Sequence, residues 1–321
     1  MSVFYPIQLL ADWLTYSVFR IAPETLLASA VNFFIFDTIK IILLLLVIIF
    51  AVSILRSFLP REKVKNILSH KRKYVGNILA SLLGIITPFC SCSAVPLFMG
   101  FVQAGVPLGT TFSFLVASPM INEVALVLLL GMFGWKIALL YIVSGLLISV
   151  FAGIFIEKMN VRNLVEDFAL NGNGSDVNLP ELSWKERIQY AKTYTLNIVK
   201  KVWLYVVIGV GIGAWIHGYV PADFLAQYAG ADKWYAVPLA VLIGIPLYSN
   251  AAGVIPLVGV LTEKGVAMGT ALAFMMAVTA LSLPEFMILK KVIKTKLIII
   301  FASVVGTGII FTGYLFNAIL R

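Results

Sequence analysis

Charge is what this sequence has least of. Of its 321 residues 12% are Asp, Glu, Lys or Arg, while 61% are hydrophobic, and the mean hydropathy is +1.00. A soluble domain carries about a quarter charged residues, so this balance removes the soluble classes before any motif is read. Between Lys73 and Lys136 the one charged side chain is Glu123. Histidine is nearly absent, and the two present, His70 and His217, do not stand at the spacing of His-Glu-x-x-His; no Gly-x-Ser-x-Gly elbow occurs either. Without a Gly-x-x-x-x-Gly-Lys-Ser/Thr loop, the chain itself does not hydrolyse ATP. The two cysteines, Cys90 and Cys92, lie one residue apart. That spacing gives neither a disulfide framework nor the Cys-x-x-Cys redox motif. Residues 1–15 lack the basic start and small-residue cleavage site of a signal peptide.

Long apolar runs take the place of charge. A membrane-spanning helix needs roughly 20 apolar residues, and 41–55, 135–155, 202–215 and 297–316, with their flanks, supply them. The net charge of +9 fits the cytoplasmic excess of Lys and Arg in membrane proteins and implies no nucleic acid. The expected fold is an all-α polytopic membrane protein. Its parts are an amphipathic or extra membrane helix in 1–37, a membrane repeat in 38–157, a linker in 158–197 and a second repeat in 198–321.

The repeat appears when the sequence is shifted by 160 positions. Gly84, Ile85, Pro96, Leu97, Gly105, Val106, Gly109, Thr110 and Phe114 then fall on Gly244, Ile245, Pro256, Leu257, Gly265, Val266, Gly269, Thr270 and Phe274, nine identities in 31 positions. Chance gives roughly two or three. Glu123 and Glu285 correspond if two residues are inserted in the second copy. Each copy reads as a plain helix (38–58, 198–217), two interrupted segments (75–105 and 108–134; 236–262 and 266–289) and a closing helix (136–156, 297–317).

Loop charge orients the copies. Loop 59–74 holds Arg61, Lys63, Lys65, Lys71, Arg72 and Lys73, whereas its counterpart 218–236 has only Lys233 among basic residues. Later the bias reverses, with Lys290, Lys291, Lys294 and Lys296 in the second copy against Lys136 in the first. Basic loops stay cytoplasmic, so the copies are expected to be inverted, with broken helices meeting at the midplane. Inversion needs an odd number of crossings per copy, hence one re-entrant segment in each. The polar linker, with its Gly/Asn-rich run 171–176, is expected on the cytoplasmic side.

Polar residues concentrate at the interruptions. Pro88 and Pro96 bracket Cys90, Ser91, Cys92 and Ser93; Pro246 and Pro256 bracket Tyr248, Ser249 and Asn250; Pro119 precedes Asn122 and Glu123; Pro284 precedes Glu285. Proline removes a helix donor, and non-helical backbone at membrane depth is tolerated only inside protein or along a cavity. These six prolines are therefore expected to break helices around a substrate site made of Cys90, Ser91, Cys92, Ser93, Asn122, Tyr248, Ser249 and Asn250. Thiols suit soft ligands such as Cu(I), Zn(II) and trivalent metalloids, although buried cysteine is also a small apolar filler. Glu123 and Glu285 are expected to couple transport to protons or cations; the structural alternative is a protonated carboxyl capping a break. His217, His70 and the thioethers of Met275, Met276 and Met287 read better as interface, loop and packing residues. No catalytic residue, resident metal or cofactor is expected. The expected partners are the bilayer, a small-molecule or metalloid substrate, and a second copy as homodimer.

Thr-Pro-Phe-Cys-Ser-Cys-Ser-Ala-Val-Pro at 87–96, followed by Ser-Pro-Met-Ile-Asn-Glu at 118–123, resembles the ArsP/YraQ group of permeases. The likeness extends over roughly 38–318 and includes Ser-Asn-Ala-Ala-Gly at 249–253 and Leu-Pro-Glu at 283–285. The resemblance implies an efflux permease of the cytoplasmic membrane. One branch of that group exports trivalent organoarsenicals such as methylarsenite with cysteine thiols implicated, and relatives are linked to copper and zinc resistance. The residues alone reach a thiol-lined transporter. A carrier of metal ions or small sulfur compounds, or an intramembrane thiol redox enzyme, are the competing readings.

Overall fold

The computed structural model describes residues 4–58, 74–87, 91–121, 123–159, 161–166, 183–219, 233–247 and 251–320. Among them the chain is helical, without strands beyond one isolated bridge. Among the described residues four stretches, Leu26–Leu43, Trp135–Lys158, Met268–Leu289 and Thr295–Ile319, are long and apolar enough to cross a bilayer, and the bent pair Leu108–Met120 and Ala125–Phe133 makes a fifth if it is one span. The chain is thus an all-α polytopic membrane protein.

Helix α1 (Tyr5–Asp12) passes through a π-helical turn, Trp13–Val18, towards α2 (Leu26–Phe58). Next come α3 (Val75–Ile86), α4 (Ser91–Gln103), α5 (Leu108–Met120), α6 (Glu123–Phe133) and α7 (Trp135–Lys158). The second series is α8 (Trp184–Tyr219), α9 (Ala236–Gly244), α10 (Ala251–Glu263), α11 (Met268–Ala280), α12 (Leu283–Leu289) and α13 (Thr295–Ile319). Counterparts from α4/α10 to α7/α13 all begin 160 positions apart, as Ser91/Ala251, Leu108/Met268, Glu123/Leu283 and Trp135/Thr295 show. No insertion intervenes. Glu123 is therefore equivalent to Leu283, and Glu285 to Ala125, so the two acids do not occupy matching positions.

Both opening helices start earlier than the hydrophobic runs suggest. Thr25 Oγ1 accepts the Ala28 amide at 3.1 Å, an N-cap that launches α2 twelve residues before 38. At α8, Ser183 and Glu186 close a capping box: the Ser183 amide and hydroxyl each donate to Glu186 Oε2 at 2.8 Å. Residues 184–197 are consequently helix, not linker. Hydrophobic periodicity marks where a helix enters lipid, whereas caps mark where it begins.

Packing follows membrane rules, with small and polar groups inside and large apolar groups outside. Along α7, Leu139, Val143, Leu147, Phe151 and Phe155 are exposed at a four-residue spacing, while Ala138, Ser144, Gly145, Ser149, Ala152 and Gly153 are buried. Lipid is as apolar as leucine, so close backbone approach and interhelical hydrogen bonds hold such helices together. Gly109 of α5 meets Gly153 of α7, and a Cβ on Gly109 would stand 2.6 Å from Glu157 Cβ. The second copy repeats this at Gly269 and Gly313, where a Cβ on Gly269 would stand 2.6 Å from the Asn317 amide nitrogen. Likewise Gly84 abuts Ala117 and Gly244 abuts Ala277, each hypothetical Cβ lying 3.0 Å from the alanine methyl.

Contacts also fix helix direction. Asn77 Nδ2 donates to Ser113 Oγ at 3.0 Å, and Gly84 lies against Ala117 and Ser118, so α3 and α5 run the same way. The chain must therefore return along α4 to the level where α3 began. It then turns tightly: the Gly105 amide donates to Val102 O and Val106 to Phe101 O, both at 3.0 Å. That Schellman closure needs φ of +77° at Gly105, and Gly265 repeats it at +88°. Beyond α5 the axis bends by 47° into α6 and continues onward. Helix α7 then returns, with Tyr141 beside Met120 and Glu157 beside Gly109.

The two series interlock. Helices α2 and α8, α5 and α11, and α7 and α13 pack as pairs of counterparts, while α4 packs on α12 and α6 on α10. Ile148 faces its own counterpart, Gly308. The segment after α7 meets the turn before α13: Val165 and Ile293 form an antiparallel bridge. The Glu166 amide donates to Val292 O and the Lys294 amide to Leu164 O, both at 2.9 Å. The end of α7 thus lies beside the start of α13.

Candidate functional site

The helix breaks are fewer than the prolines. Pro246 lies in the turn that ends α9, and Pro284 sits at the start of α12, each a terminus where a missing N–H costs little. Pro96 and Pro256 instead lie inside α4 and α10, which corrects the expectation that they break helices, whereas Pro119 stands one residue before the end of α5, where the axis bends by 47° towards α6. A proline tolerates helical φ; what it cannot do is donate to the carbonyl four residues back. For Pro96 and Pro256 those carbonyls belong to Cys92 and Ala252, equivalent positions in the two copies. Each loses its helical donor.

Of the expected substrate residues, Ser91, Cys92 and Ser93 form the first turn of α4. Pro88, Cys90, Asn122, Tyr248, Ser249 and Asn250 lie outside the described residues. Glu123 opens α6. Glu285, in the first turn of α12, is fully buried. A carboxyl at membrane depth is tolerated when it is paired, hydrated or protonated.

Packing brings these elements together crosswise. Helix α12, with Glu285, lies against α4, whose first turn holds Cys92. Helix α6, with Glu123, lies against α10, which follows directly on 248–250. Each acid-bearing half-helix therefore packs on the opposite copy's helix. Within the second copy, the Leu283 amide donates to Ile245 O at 3.0 Å, joining the end of α9 to the α11–α12 break. In the first, the Tyr141 hydroxyl donates to Met120 O at 2.7 Å, satisfying a carbonyl that the α5–α6 break leaves without a helical donor. Among the described residues no three His, Cys, Asp or Glu side chains group as a metal site.

Sequence reasoning missed three groups here. Tyr141 shows no polar pattern, because its partner is a backbone carbonyl. The Gly153/Gly313 pair lay beyond the 84–114 window, although the same 160 shift finds it. Ser282, the residue before α12, is fully buried, and its hydroxyl has no hydrogen-bond partner among the described residues.

Comparison with known proteins agrees with this architecture. A family described as predicted permease matches residues 26–318. A UPF0718 protein of Methanocaldococcus jannaschii is 26% identical over 80% of this chain and 86% of its own. A Streptococcus mutans protein, whose name proposes it as a subunit of a two-component membrane permease complex, is 25% identical over 80% of each. The UPF0718 protein YraQ of Escherichia coli is 22% identical over 81% of this chain and 73% of its own. No solved structure matches.

Proposed function

The chain belongs to the ArsP_1 family of predicted permeases, and from that premise we propose that it is a secondary exporter of soft, thiol-reactive solutes in the cytoplasmic membrane. The substrate class is a trivalent methylated arsenical. The observation that carries this reading is the crosswise packing: the thiol-bearing α4 lies on the acid-bearing α12 of the other copy.

Methylarsenite enters as the neutral dihydroxy species. Two thiols, Cys90 and Cys92, displace its two hydroxyls; two As–S bonds form, two As–O bonds break and two waters leave, with no change of oxidation state. Soft thiolate ligands favour the exchange. Two thiols rather than three leave the adduct labile enough to reverse on the far side. Glu285, buried, and Glu123 carry the coupling proton.

Alternating access asks for two inverted units rocking around a fixed site. Three features support that arrangement. Helices α3 and α4 leave and return to one level, so they form the re-entrant segment. Helices α5 and α6 make one broken crossing, and their 24 residues match the 24 of α7, about 36 Å at the helical rise. Finally, the end of α7 lies beside the start of α13, as antiparallel counterparts require. The name of the Streptococcus mutans relative supports a second kind of chain as partner, alongside the homodimer.

Uptake of methylarsenite, arsenite, copper and zinc into inside-out vesicles, with and without a pH gradient, tests the proposal. Methylarsenite accumulation driven by the gradient is expected, with loss in both Cys90→Ser and Cys92→Ser. Equal uptake by the double serine variant would overturn the thiol mechanism, and uptake of a metal ion alone would replace the substrate class.

A further inference from the structure

The sequence holds two Ser-x-x-Glu stretches at helix starts, and they behave differently. Ser183 and Glu186 close their capping box at the start of α8. Ser282, before α12, has an extended backbone suited to capping (φ −68°, ψ 143°), yet makes no side-chain cap hydrogen bond. Its hydroxyl is fully buried and without a partner among the described residues. Lipid and water are both kept from it.

A buried hydroxyl left unpaired is a standing cost that native proteins rarely retain without use. The place matters as much. The next residue, Leu283, is tied through its amide to Ile245 O, three residues before the 248–250 stretch. Three residues on is Glu285, buried. By the 160-residue register Ser282 is the counterpart of Asn122, the residue after the α5 break. The sequence thus carries an amide at one of these two positions and a hydroxyl at the other.

We propose that Ser282 is a substrate-contacting residue: its hydroxyl holds the As–OH group of a dihydroxy arsenical, or of a like hydroxylated metalloid, before the thiols displace it. This rests on the export reading for the substrate's identity. The lining role stands on the buried, unpaired hydroxyl alone. A serine hydroxyl both donates and accepts, which is what a neutral As–OH needs once water is stripped away.

Two measurements on the full-length protein in inside-out vesicles decide it. In a Cys90→Ser/Cys92→Ser chain, Ser282→Cys is reacted with 2-aminoethyl methanethiosulfonate beside Ser183→Cys, at an exposed helix start, and Ser149→Cys, buried between α3 and α7. Labelling of position 282 within about tenfold of position 183, with position 149 inert, is the expected result. Position 282 as inert as 149 overturns the proposal, whatever the substrate. In the otherwise native chain, Ser282→Ala is expected to lower kcat/KM for methylarsenite about tenfold, the worth of one hydrogen bond. Ser282→Asn, borrowing the first copy's residue, should restore most of it. Unchanged transport by Ser282→Ala overturns the contact. A wild-type chain that moves no methylarsenite sinks the substrate reading, while the labelling still decides whether Ser282 lines the path.

Discussion

The two copies share one geometry and differ in what fills it. In the first, Asn77 bonds Ser113, Ser149 bonds Ser81 at 2.9 Å, and Tyr141 bonds the Met120 carbonyl. At the equivalent positions the second copy has Val237 and Ala273, Ile309 and Val241, and Phe301. The same helices nevertheless pack on one another in the same pairs, α3, α5 and α7 in the first copy and α9, α11 and α13 in the second. What both copies keep is glycine: Gly84, Gly109 and Gly153, matched by Gly244, Gly269 and Gly313. Backbone approach therefore sets the architecture, and the polar pairs of the first copy are additions to it. Even the helix-start contact survives a change of chemistry. Glu157 accepts the Gly109 amide in one copy, and Asn317 accepts the Thr270 amide at 3.2 Å in the other.

If backbone approach is decisive, filling it is the most damaging change available. A Cβ on Gly153 would collide with Ser113 Oγ, the Gly109 carbonyl and Asn77 Nδ2. Backbone cannot swing aside as a side chain does, so Gly153→Ala is expected to cost at least about 3 kcal/mol, the upper end for overpacking. Gly313→Ala should cost a similar amount, since its Cβ would meet Val237 at 2.6 Å and Ala273 at 2.8 Å. Gly131→Ala is the matched control, with nothing within 4 Å. It should be neutral or stabilising by up to about 1 kcal/mol through helix propensity. Thermal unfolding of detergent-solubilised protein measures all three. A Gly153→Ala chain as stable as Gly131→Ala would refute the primacy of backbone contact.

The same comparison explains what was legible in the sequence. Glycine identities at a fixed offset are geometric constraints written in residue type, so the 160-residue register that the helix starts follow could be read directly. Cys90, Cys92, Glu123 and Glu285 stood out because thiol and charge are rare in a chain this apolar. Two prolines misled: Pro96 and Pro256 lie within helices, since proline forbids one hydrogen bond rather than the helical path itself. The correspondence drawn between Glu123 and Glu285 needed an insertion that the helix starts do not contain. Tyr141 was invisible because its partner is a main-chain carbonyl, and Ser282 because its Ser-x-x-Glu spacing reads as an ordinary helix cap, which the structure does not form. Helix starts at 26 and 184 were missed for want of reading caps, although Ser183-x-x-Glu186 is a capping box in plain sight.

A smaller effect separates polar pairs from packing. Ser113→Ala removes the partner of Asn77, a buried amide, and is expected to cost about 1 kcal/mol. Replacing both, Asn77→Val with Ser113→Ala, installs the second copy's own residues and should recover most of that loss. The check is again thermal unfolding, read as a double-mutant cycle. A double variant worse than the sum of the singles would mean that the first copy depends on its polar pair for its shape.

The smallest expected effect contrasts the two Ser-x-x-Glu stretches, one in water and one in the bilayer. Hydrogen bonds from the Ser183 backbone amide, and then from its hydroxyl, hold the Glu186 carboxyl below its ordinary value. A group whose folded pKa is depressed contributes its stability above the unfolded pKa and loses it as pH falls through the folded one. The start of α8 should accordingly stay protected at neutral pH and fray below the usual carboxylate range. Amide hydrogen exchange over the first turn of α8 reports this, with Glu186→Gln, a neutral acceptor, flattening the pH dependence and raising exchange a few-fold at neutral pH. Since Ser282 makes no cap hydrogen bond, Ser282→Ala should leave exchange at α12 unaltered, whereas Ser183→Ala should speed it at α8. Faster exchange at α12 in Ser282→Ala would mean that its hydroxyl serves the helix after all, leaving none to spare for a solute.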